Sequence, residues 1–266
     1  MEARFCPLYS GSSGNAIYVG AGDTHLLVDA GLPGKSIEQA LVSIGVRPQE
    51  LSAIFVTHEH SDHVRGVGVL ARRLGVPVYA NEKTWAAMEK GLGQVPMAQR
   101  RVFLGEQDFY VGAVNVQPYA IPHDAADPVG YCFYMGDKKI SVATDLGHAN
   151  SRIIDRIADS DILLLESNHD VDMLTRNPNY PAALKRRIRG SKGHLSNDQC
   201  AQALLELVRR NVRVVYLAHL SDHNNTPELA LDSVTAQLLE NGVRVGRDIN
   251  LDLAARDSIG ELLAVR

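Results

Sequence analysis

Six apolar runs of this sequence each close on a polar residue that can bind a metal ion or a proton, and this pattern constrains the fold more than any other feature. The six residues are Asp29, His58, His123, Asp145, Glu166 and His219. A rigid sheet can hold several such side chains together where its strands end. We therefore expect β-strands that alternate with helices and carry functional residues at their ends.

Short apolar runs predict the strands, and helix-capping patterns separate them. The predicted strands are Ile17–Gly20, His25–Asp29, Ala53–Thr57, Val76–Ala80, Asp108–Ile121, Gly130–Met135, Ile140–Asp145, Asp161–Glu166 and Val212–His219. Ser36, Ser196 and Thr226 are predicted helix N-caps. A further helix is expected through Val64–Leu74. This order predicts an α/β fold, an αββα sandwich of two mixed sheets covered by outer helices, in a single domain over residues 1–266.

The composition is that of an ordinary soluble globular protein, with 45% hydrophobic and 22% charged residues. A formal net charge of −4 argues against a general electrostatic affinity for nucleic acid but leaves room for a local basic patch. The three cysteines show no paired spacing, the first residues lack a secretory pattern, and no run reaches the length of a membrane span. We therefore expect a cytoplasmic protein that does not bind membranes.

The segment His58–His63, which we call the histidine loop, places four potential ligands within six residues directly after an apolar run. Imidazole and carboxylate donors together suit zinc, manganese or iron. The spacing predicts two divalent metal ions per chain. The predicted ligands are His58, His60 and His123 for the first ion, Asp62, His63 and His219 for the second, and Asp145 as the bridge between them.

These motifs resemble the metallo-β-lactamase superfamily, whose hallmark is a His-x-His-x-Asp-His loop, and the likeness covers essentially the whole chain. The resemblance implies that Asp29, in the string Val28-Asp29-Ala30-Gly31, orients the histidine loop instead of binding metal. The superfamily hydrolyses β-lactams, thioesters and phosphodiesters, so the fold alone does not define the function.

Three further segments favour phosphodiester chemistry. Ser10–Asn15 is glycine-rich, so it can form a flexible turn or bring backbone N–H groups close to an anion. Lys185–His194 places five cations before a histidine, which indicates either a phosphate-contacting rim or a solvated helix face. Glu166 can hydrogen-bond His194 and hold it protonated near a leaving oxygen. That arrangement resembles the Glu–His pair of the tRNA 3′-processing nucleases in this superfamily.

Together the segments resemble the bacterial WalJ/YycJ-type nucleases, through the strings Gly11–Asn15, Glu166–Asp170, Gly193–Asn197 and His219–Asn225. The resemblance implies metal-dependent 5′→3′ exonuclease action on double-stranded DNA. It implies two-metal activation of water, with Asp62 as a catalytic residue, His194 as the general acid and Glu166 as the support of His194. The candidates for substrate contacts are Ser12, Ser13, Asn15, Arg189, Lys192, Ser196 and Asn225.

Other functions stay open on the sequence alone. A phosphodiesterase that acts on RNA or on a small cyclic phosphate would keep every predicted metal ligand and differ in its substrate groove. A thioester hydrolase would leave the basic run without an evident role. A regulatory binding protein with a vestigial site would have no need of the complete ligand set.

Overall fold

The structure is a computed structural model that describes residues 2–266. Its strands are β1 Ala3–Tyr9, β2 Ala16–Ala21, β3 Thr24–Val28, β4 Leu51–Phe55, β5 Val78–Asn81, β6 Arg100–Phe103, β7 Phe109–Val111, β8 Val114–Ala120, β9 Val129–Met135, β10 Lys138–Ala143, β11 Ile162–Glu166, β12 Val214–Ala218, β13 Asn250–Leu253 and β14 Leu263–Val265. Its α-helices are α1 Gly34–Ser43, α2 Ser61–Val64, α3 Val67–Leu74, α4 Glu82–Leu92, α5 Ser151–Ile157, α6 Val171–Arg176, α7 Ala182–Ile188, α8 Asn197–Val208 and α9 Pro227–Glu240.

The described chain separates into two compact units. The first comprises the described residues as far as Ala120, together with Ala125–Ile140 and Ala255–Arg266, and the second comprises Ile121–Asp124 and Ser141–Ala254. Across residues 2–266 the strands form two mixed sheets of seven strands each. The predicted α/β class with two mixed sheets is therefore confirmed, whereas the single domain stays a prediction. Over the same residues, no helix has the length and apolarity of a membrane span.

The first unit contains one complete sheet, ordered β14-β1-β2-β3-β4-β5-β6. Neighbours from β14 to β3 are antiparallel, and those from β3 to β6 are parallel. Every residue of β2 and β3 is buried, so neither strand shows the alternation of a half-exposed strand. Val28 at the end of β3 pairs with Phe55 at the end of β4. Asp29 and the histidine loop therefore leave this sheet at the same edge.

Two sequence predictions for the first unit are wrong. Ser36 does not cap α1, because its N–H bonds to the carbonyl of Pro33 at 2.9 Å and the helix has already begun at Gly34. The run Asp108–Ile121 is not one strand but the hairpin β7–β8, since Gly112 adopts a φ of 55° in the turn between them. A positive φ suits glycine, which has no Cβ to clash with the backbone.

Gly66 divides the helix expected through Val64–Leu74 into α2 and α3. It donates its N–H to the carbonyl of Ala30 at 2.7 Å, and a Cβ built on it would lie 2.3 Å from the carbonyl oxygen of Leu32. Only glycine permits so close an approach of two backbone segments. The end of the histidine loop is thereby tied to the segment that follows Asp29.

Parallel strands β11, β12 and β13 lie in the second unit. Glu166 at the end of β11 pairs with Ala218 at the end of β12, so Glu166 and His219 meet at one sheet edge. Helix α8 begins at the predicted capping box of Ser196, and α9 begins with the predicted N-cap Thr226. Both capping predictions are confirmed.

Candidate active site

The histidine loop leaves β4 and enters α2 in the first unit. His58 and His63 are buried, whereas His60 and Asp62 are partly exposed. The ring centroids of His58 and His63 lie 4.1 Å apart, and His58 Nε2 lies 3.0 Å from His60 Nδ1. Asp62 Oδ2 lies 3.5 Å from His63 Nε2. The four predicted ligands of this loop therefore form one connected group of nitrogen and oxygen donors.

Asp29 holds the histidine loop from the end of β3. Its carboxylate accepts hydrogen bonds from the N–H and the hydroxyl of Thr57, both at 2.8 Å, and from His63 Nδ1 at 2.7 Å. Its backbone adopts a φ of 60°, in the left-handed region that aspartate tolerates better than most residues. This geometry supports the orienting role predicted for Asp29.

The same network defines the tautomers of two histidines. His63 Nδ1 carries the hydrogen because it faces the carboxylate of Asp29. His58 Nδ1 lies 3.0 Å from the hydroxyl oxygen of Thr57, whose own hydrogen goes to Asp29, so His58 also donates from Nδ1. Both rings therefore present a lone pair on Nε2, and the donor Nδ2 of Asn15 lies 3.1 Å from Nε2 of His63. Proteins prepare histidines as metal ligands in this way.

The glycine-rich segment of the first unit has exposed and buried members. Ser12 and Ser13 are exposed, but Asn15, predicted to contact substrate, is only 2% exposed. The side chain of Asn15 accepts a hydrogen bond from the N–H of Gly11 at 3.0 Å and lies against His63. Asn15 is thus placed to support the histidine loop instead of touching a substrate.

The carboxylate of Glu166 accepts four hydrogen bonds within the second unit. Its Oε1 accepts from Nδ1 of His194 and from Nδ1 of His219, each at 2.8 Å. Its Oε2 accepts from the N–H groups of Leu146 at 2.7 Å and Leu195 at 3.1 Å. The hydrogen bond expected between Glu166 and His194 is therefore present. These four donors saturate the carboxylate, which leaves little capacity for Glu166 to bind a metal ion directly.

Three predicted metal ligands, Asp145, His123 and His219, lie close together in the second unit. Asp145 Oδ1 lies 3.6 Å from His219 Nδ1 and 3.7 Å from both His123 Nε2 and His194 Nδ1. One ligand-type atom from each of Asp145, Glu166, His194 and His219 lies within 4.8 Å of the others. The second unit therefore brings together side chains of the residue types that can bind a metal ion, with Asp145, His123 and His219 as its predicted ligands.

His123 and His219, both predicted ligands, have the same tautomer as the two buried histidines of the loop. His219 Nδ1 donates to Glu166, and His123 Nδ1 lies 3.2 Å from the carbonyl oxygen of Gly193, which can only accept. Both rings therefore present a lone pair on Nε2. Burial lowers the pKa of His123 and outweighs the nearby charge of Asp145, so its neutral form prevails.

Glu166 and His194 form an ion pair. Burial favours a higher pKa for Glu166, but the charge and hydrogen bond of His194 and the hydrogen bond of His219 lower that pKa to about 2. Burial favours a lower pKa for His194, but the charge and hydrogen bond of Glu166 raise it above its ordinary value. The side chain of His194 is 21% exposed, against 0% for Glu166. The imidazolium is therefore open to solvent on one side, where it can give a proton to another molecule.

The basic run that precedes His194 is only partly available to a phosphate. Arg187 pairs with the carboxylate of Asp124. Arg189 and Lys192 are exposed and make no ion pair with any residue in the described part of the chain. The structure therefore favours Arg189 and Lys192, both predicted phosphate contacts, over Arg187.

No sequence pattern predicted the buried polar network beside His219. Asn168 Nδ2 donates to the carbonyl of His219 at 2.8 Å, and Asn225 Nδ2 donates to the carbonyls of Ser167 at 3.0 Å and Asn168 at 3.1 Å. Asn225 is 5% exposed, and the hydroxyl of Ser196 caps α8. These two predicted substrate contacts are therefore engaged inside the protein, and Asn225 supports the His219 loop through Asn168.

Comparison with known proteins shows the family of this chain. The profile of the Metallo-beta-lactamase superfamily matches residues 9–219. The chain is 43% identical over 246 residues to exodeoxyribonuclease YycJ of Bacillus anthracis, across 92% of this chain and 93% of that protein. It is 42% identical over 250 residues to exodeoxyribonuclease WalJ of Streptococcus pneumoniae, across 93% of each. The chain belongs to the WalJ/YycJ-type family of the metallo-β-lactamase superfamily.

The fold of this WalJ/YycJ-type protein is also similar to solved structures of the superfamily. The metallo-β-lactamase fold protein YhfI of Bacillus subtilis matches with a TM-score of 0.74 at 16% identity, over all of both chains. At that identity the likeness concerns the fold alone. Both resemblances stated from the sequence, to the superfamily and to the family, are confirmed.

The donors of this family member fit divalent metal ions. The hydrogen-bond partners on Nδ1 leave the ligand lone pair on Nε2 of His58, His63, His123 and His219. Asp62 and Asp145 add carboxylate oxygens, and imidazole with carboxylate is a donor set that zinc and manganese accept. The histidine and aspartate groups are therefore candidate sites for divalent metal ions.

Proposed function

We propose that this protein is a metal-dependent exodeoxyribonuclease that degrades DNA in the 5′→3′ direction. Relatives of 42% and 43% identity carry the name exodeoxyribonuclease. The observation that carries the proposal is the 2.8 Å hydrogen bond from His194 Nδ1 to the buried Glu166. A sugar oxygen is a poor leaving group that needs a proton, and a partly exposed imidazolium can supply one. A thiolate needs no such acid, so the pair favours phosphodiester over thioester hydrolysis.

The proposed cofactors are two divalent metal ions per chain, zinc or manganese, with iron as a further option. The proposed ligands are His58, His60 and His123 for one ion, Asp62, His63 and His219 for the other, and Asp145 for both. When bound, the ions lower the pKa of a water molecule and neutralise the charge that develops on the phosphate. The Nε2 lone pairs described above support this assignment.

The remaining steps belong to side chains of the protein. Asp62, whose side chain is 24% exposed, orients the attacking water through its carboxylate. His194 donates from Nδ1 to Glu166, so the proton for the leaving oxygen is on Nε2. A pKa of about 2 keeps Glu166 a carboxylate, which holds His194 in its cationic form. Arg189 and Lys192 contact the phosphates that flank the scissile bond.

The test is the degradation of end-labelled nucleic acid by protein reconstituted with metal. Single- and double-stranded DNA and RNA of one sequence, labelled at either end, report substrate and direction. We expect release from the 5′ end of double-stranded DNA, with two metal equivalents by elemental analysis. Asp62→Ala should abolish turnover and reduce the metal content, whereas Asp232→Ala, an exposed carboxylate change on α9, should do neither. Protein with both ions bound that hydrolyses no DNA would refute the proposal, and preference for RNA would replace it with a ribonuclease.

A further inference from the structure

Two surface cavities of the second unit share Tyr180 in their walls. The smaller has a volume of about 190 Å³ and also reaches His194, the proposed general acid. The larger has a volume of about 430 Å³. Tyr180 itself is half-buried. A ligand that rests on Tyr180 in the smaller cavity therefore lies beside the residue that protonates the leaving group.

Apolar side chains and an internal ion pair line the smaller cavity. Leu184 and Ile188 of α7 contribute aliphatic groups. The two charged residues of its wall besides His194, Arg187 and Asp124, pair with each other. Apart from His194, the wall of this cavity therefore suits an uncharged group with an apolar face.

The larger cavity adds a second aromatic ring and side-chain amides. The ring of His223 meets the ring of Tyr180 at 81°, with 6.1 Å between the centroids. Asn177 and Asn179 also line this cavity, and Asn177 is held by a 2.7 Å hydrogen bond to Asn224. Aromatic faces stack on nucleobases, and amides hydrogen-bond to the edges of unpaired bases. The chemistry of both cavities matches a base released from its stack.

We propose that Tyr180 is a stacking platform for an unstacked nucleobase at the DNA end. The inference rests on the proposed nuclease function and adds to it a binding residue that distinguishes nucleotides with a base from those without one. A base held on Tyr180 keeps its nucleotide beside His194, where the phosphodiester is positioned for protonation. Every base has a π face, so the platform accepts any sequence.

A base fits these cavities better than a phosphate does. Phosphate sites offer available cations or converging backbone N–H groups. Here Arg187 pairs with Asp124, and Arg176, which lines the larger cavity, lies 3.2 Å from Asp172. The cations of the two cavity walls thus each pair with a carboxylate, since His194 also pairs with Glu166.

The test removes the tyrosine ring and the base separately and together, and compares the rates of degradation. End-labelled DNA of one sequence is prepared with either ordinary or abasic nucleotides at its 5′ end. Wild-type protein should degrade the abasic end roughly 10-fold more slowly, the scale of one lost base–aromatic stack. Tyr180→Ala should slow the ordinary end by a similar factor and leave the abasic end at the wild-type rate. Tyr180→Phe, which keeps the ring, should match wild type on both.

Tyr110→Ala removes a ring that is 72% exposed on β7 in the first unit and is the matched control. It should change neither rate. If Tyr180→Ala slows both ends equally, its role is structural and the inference is overturned. An unchanged rate on both ends would overturn it as well.

A binding measurement separates this inference from the proposed function. An oligonucleotide with 2-aminopurine at its 5′ end is mixed with protein to which no metal has been added, so that nothing is hydrolysed. Wild type should quench the fluorescence of the base by stacking, and Tyr180→Ala should not. If wild type with metal degrades no DNA, the nuclease proposal fails and the quenching alone decides the inference. Equal fluorescence with both proteins overturns it.

Discussion

Replacing Glu166 with glutamine tests the hydrogen bonds that link a predicted metal ligand to the proposed acid. The buried carboxylate accepts four hydrogen bonds, two on each oxygen. Glutamine keeps the shape of the side chain, but it has one acceptor oxygen and an NH₂ group that donates. In Glu166→Gln, the NH₂ group must therefore replace one of the two carboxylate oxygens. Wherever it lies, this donor faces two other hydrogen-bond donors.

The two orientations of the amide have different consequences. If its NH₂ group faces Leu146 and Leu195, their backbone N–H groups lose a partner, at a cost of about 2–6 kcal/mol for the pair. If it faces His194 and His219, the neutral His219 can move its hydrogen from Nδ1 to Nε2, and the cationic His194 can lose its Nδ1 proton to solvent, so that both rings accept instead. Backbone N–H groups have no such alternative. We therefore expect the amide to face the histidines.

In that orientation His219 no longer presents a lone pair on Nε2. His194 no longer has beside it the carboxylate charge of Glu166, which raises the pKa of His194. Loss of the partner behind a ligating histidine typically weakens metal binding by roughly 10–100-fold. Folding should change less, because all four hydrogen bonds persist and each weakens by about 1 kcal/mol or less when the charge of the carboxylate is removed. The Tm of the metal-free protein should fall by less than about 16 °C.

Calorimetric titration with zinc or manganese and thermal unfolding of the metal-free protein measure these two effects separately. Glu206→Gln makes the same chemical change at an exposed position of α8 and should alter neither quantity. Unchanged metal affinity in Glu166→Gln would refute the tautomer argument. Intact affinity with a large fall in Tm would show that the amide faces the backbone.

Three other substitutions test further roles. His194→Ala should keep both proposed ions and slow nucleotide phosphodiester hydrolysis by roughly 100-fold. The hydrolysis of a nitrophenyl ester, whose leaving group needs little protonation, should slow much less. Equal losses of rate on both substrates would make His194 a binding residue. Arg189→Ala with Lys192→Ala should reduce the slope of log affinity for DNA against log salt by about 2, and Arg209→Ala, at the far end of α8, should not. An unchanged slope in the double variant would restore the solvated-face interpretation. Burial lowers the pKa of His169 from 6.5 to about 4, so the unfolded chain takes up its proton first. The stability present above the unfolded pKa should therefore fall by roughly 3 kcal/mol as the pH drops toward 4. His169→Gln should flatten this loss in urea unfolding of the metal-free protein, and identical losses in both proteins would contradict the assignment.

Apolar runs predicted the interior strands because burial on both faces demands continuous hydrophobic sequence. Every predicted strand overlaps an observed one. Strand β1 was missed because Pro7 cannot donate to a ladder, and the structure tolerates it next to a register shift between Pro7 and Tyr9. The edge strands β6, β13 and β14 were also missed. An edge strand pairs on one side only, and the exposed Arg101 and Val102 of β6 show how little apolar pattern it needs.

The predicted ligands could be found because metal chemistry restricts both their residue types and their spacing. The residues that position them could not. Thr57 differs from any strand-end threonine only by its place between Asp29 and two histidines, which the fold alone reveals. The pairing of Arg187 with Asp124 joins residues 63 positions apart, so no local pattern marked Arg187 as neutralised.

Three predicted site residues have a left-handed backbone: φ is 60° at Asp29, 55° at Asp145 and 56° at His219. Such a conformation costs a non-glycine residue about 1 kcal/mol or more, so it persists only where neighbours hold it. His219 is held by Glu166 at its ring and by Asn168 at its carbonyl, while Asp29 is held by the three donors to its carboxylate. These restraints are hydrogen bonds within each unit. The fold itself therefore directs the predicted ligand atoms, and Asp29 and Glu166 contribute to the candidate site although neither is a predicted ligand.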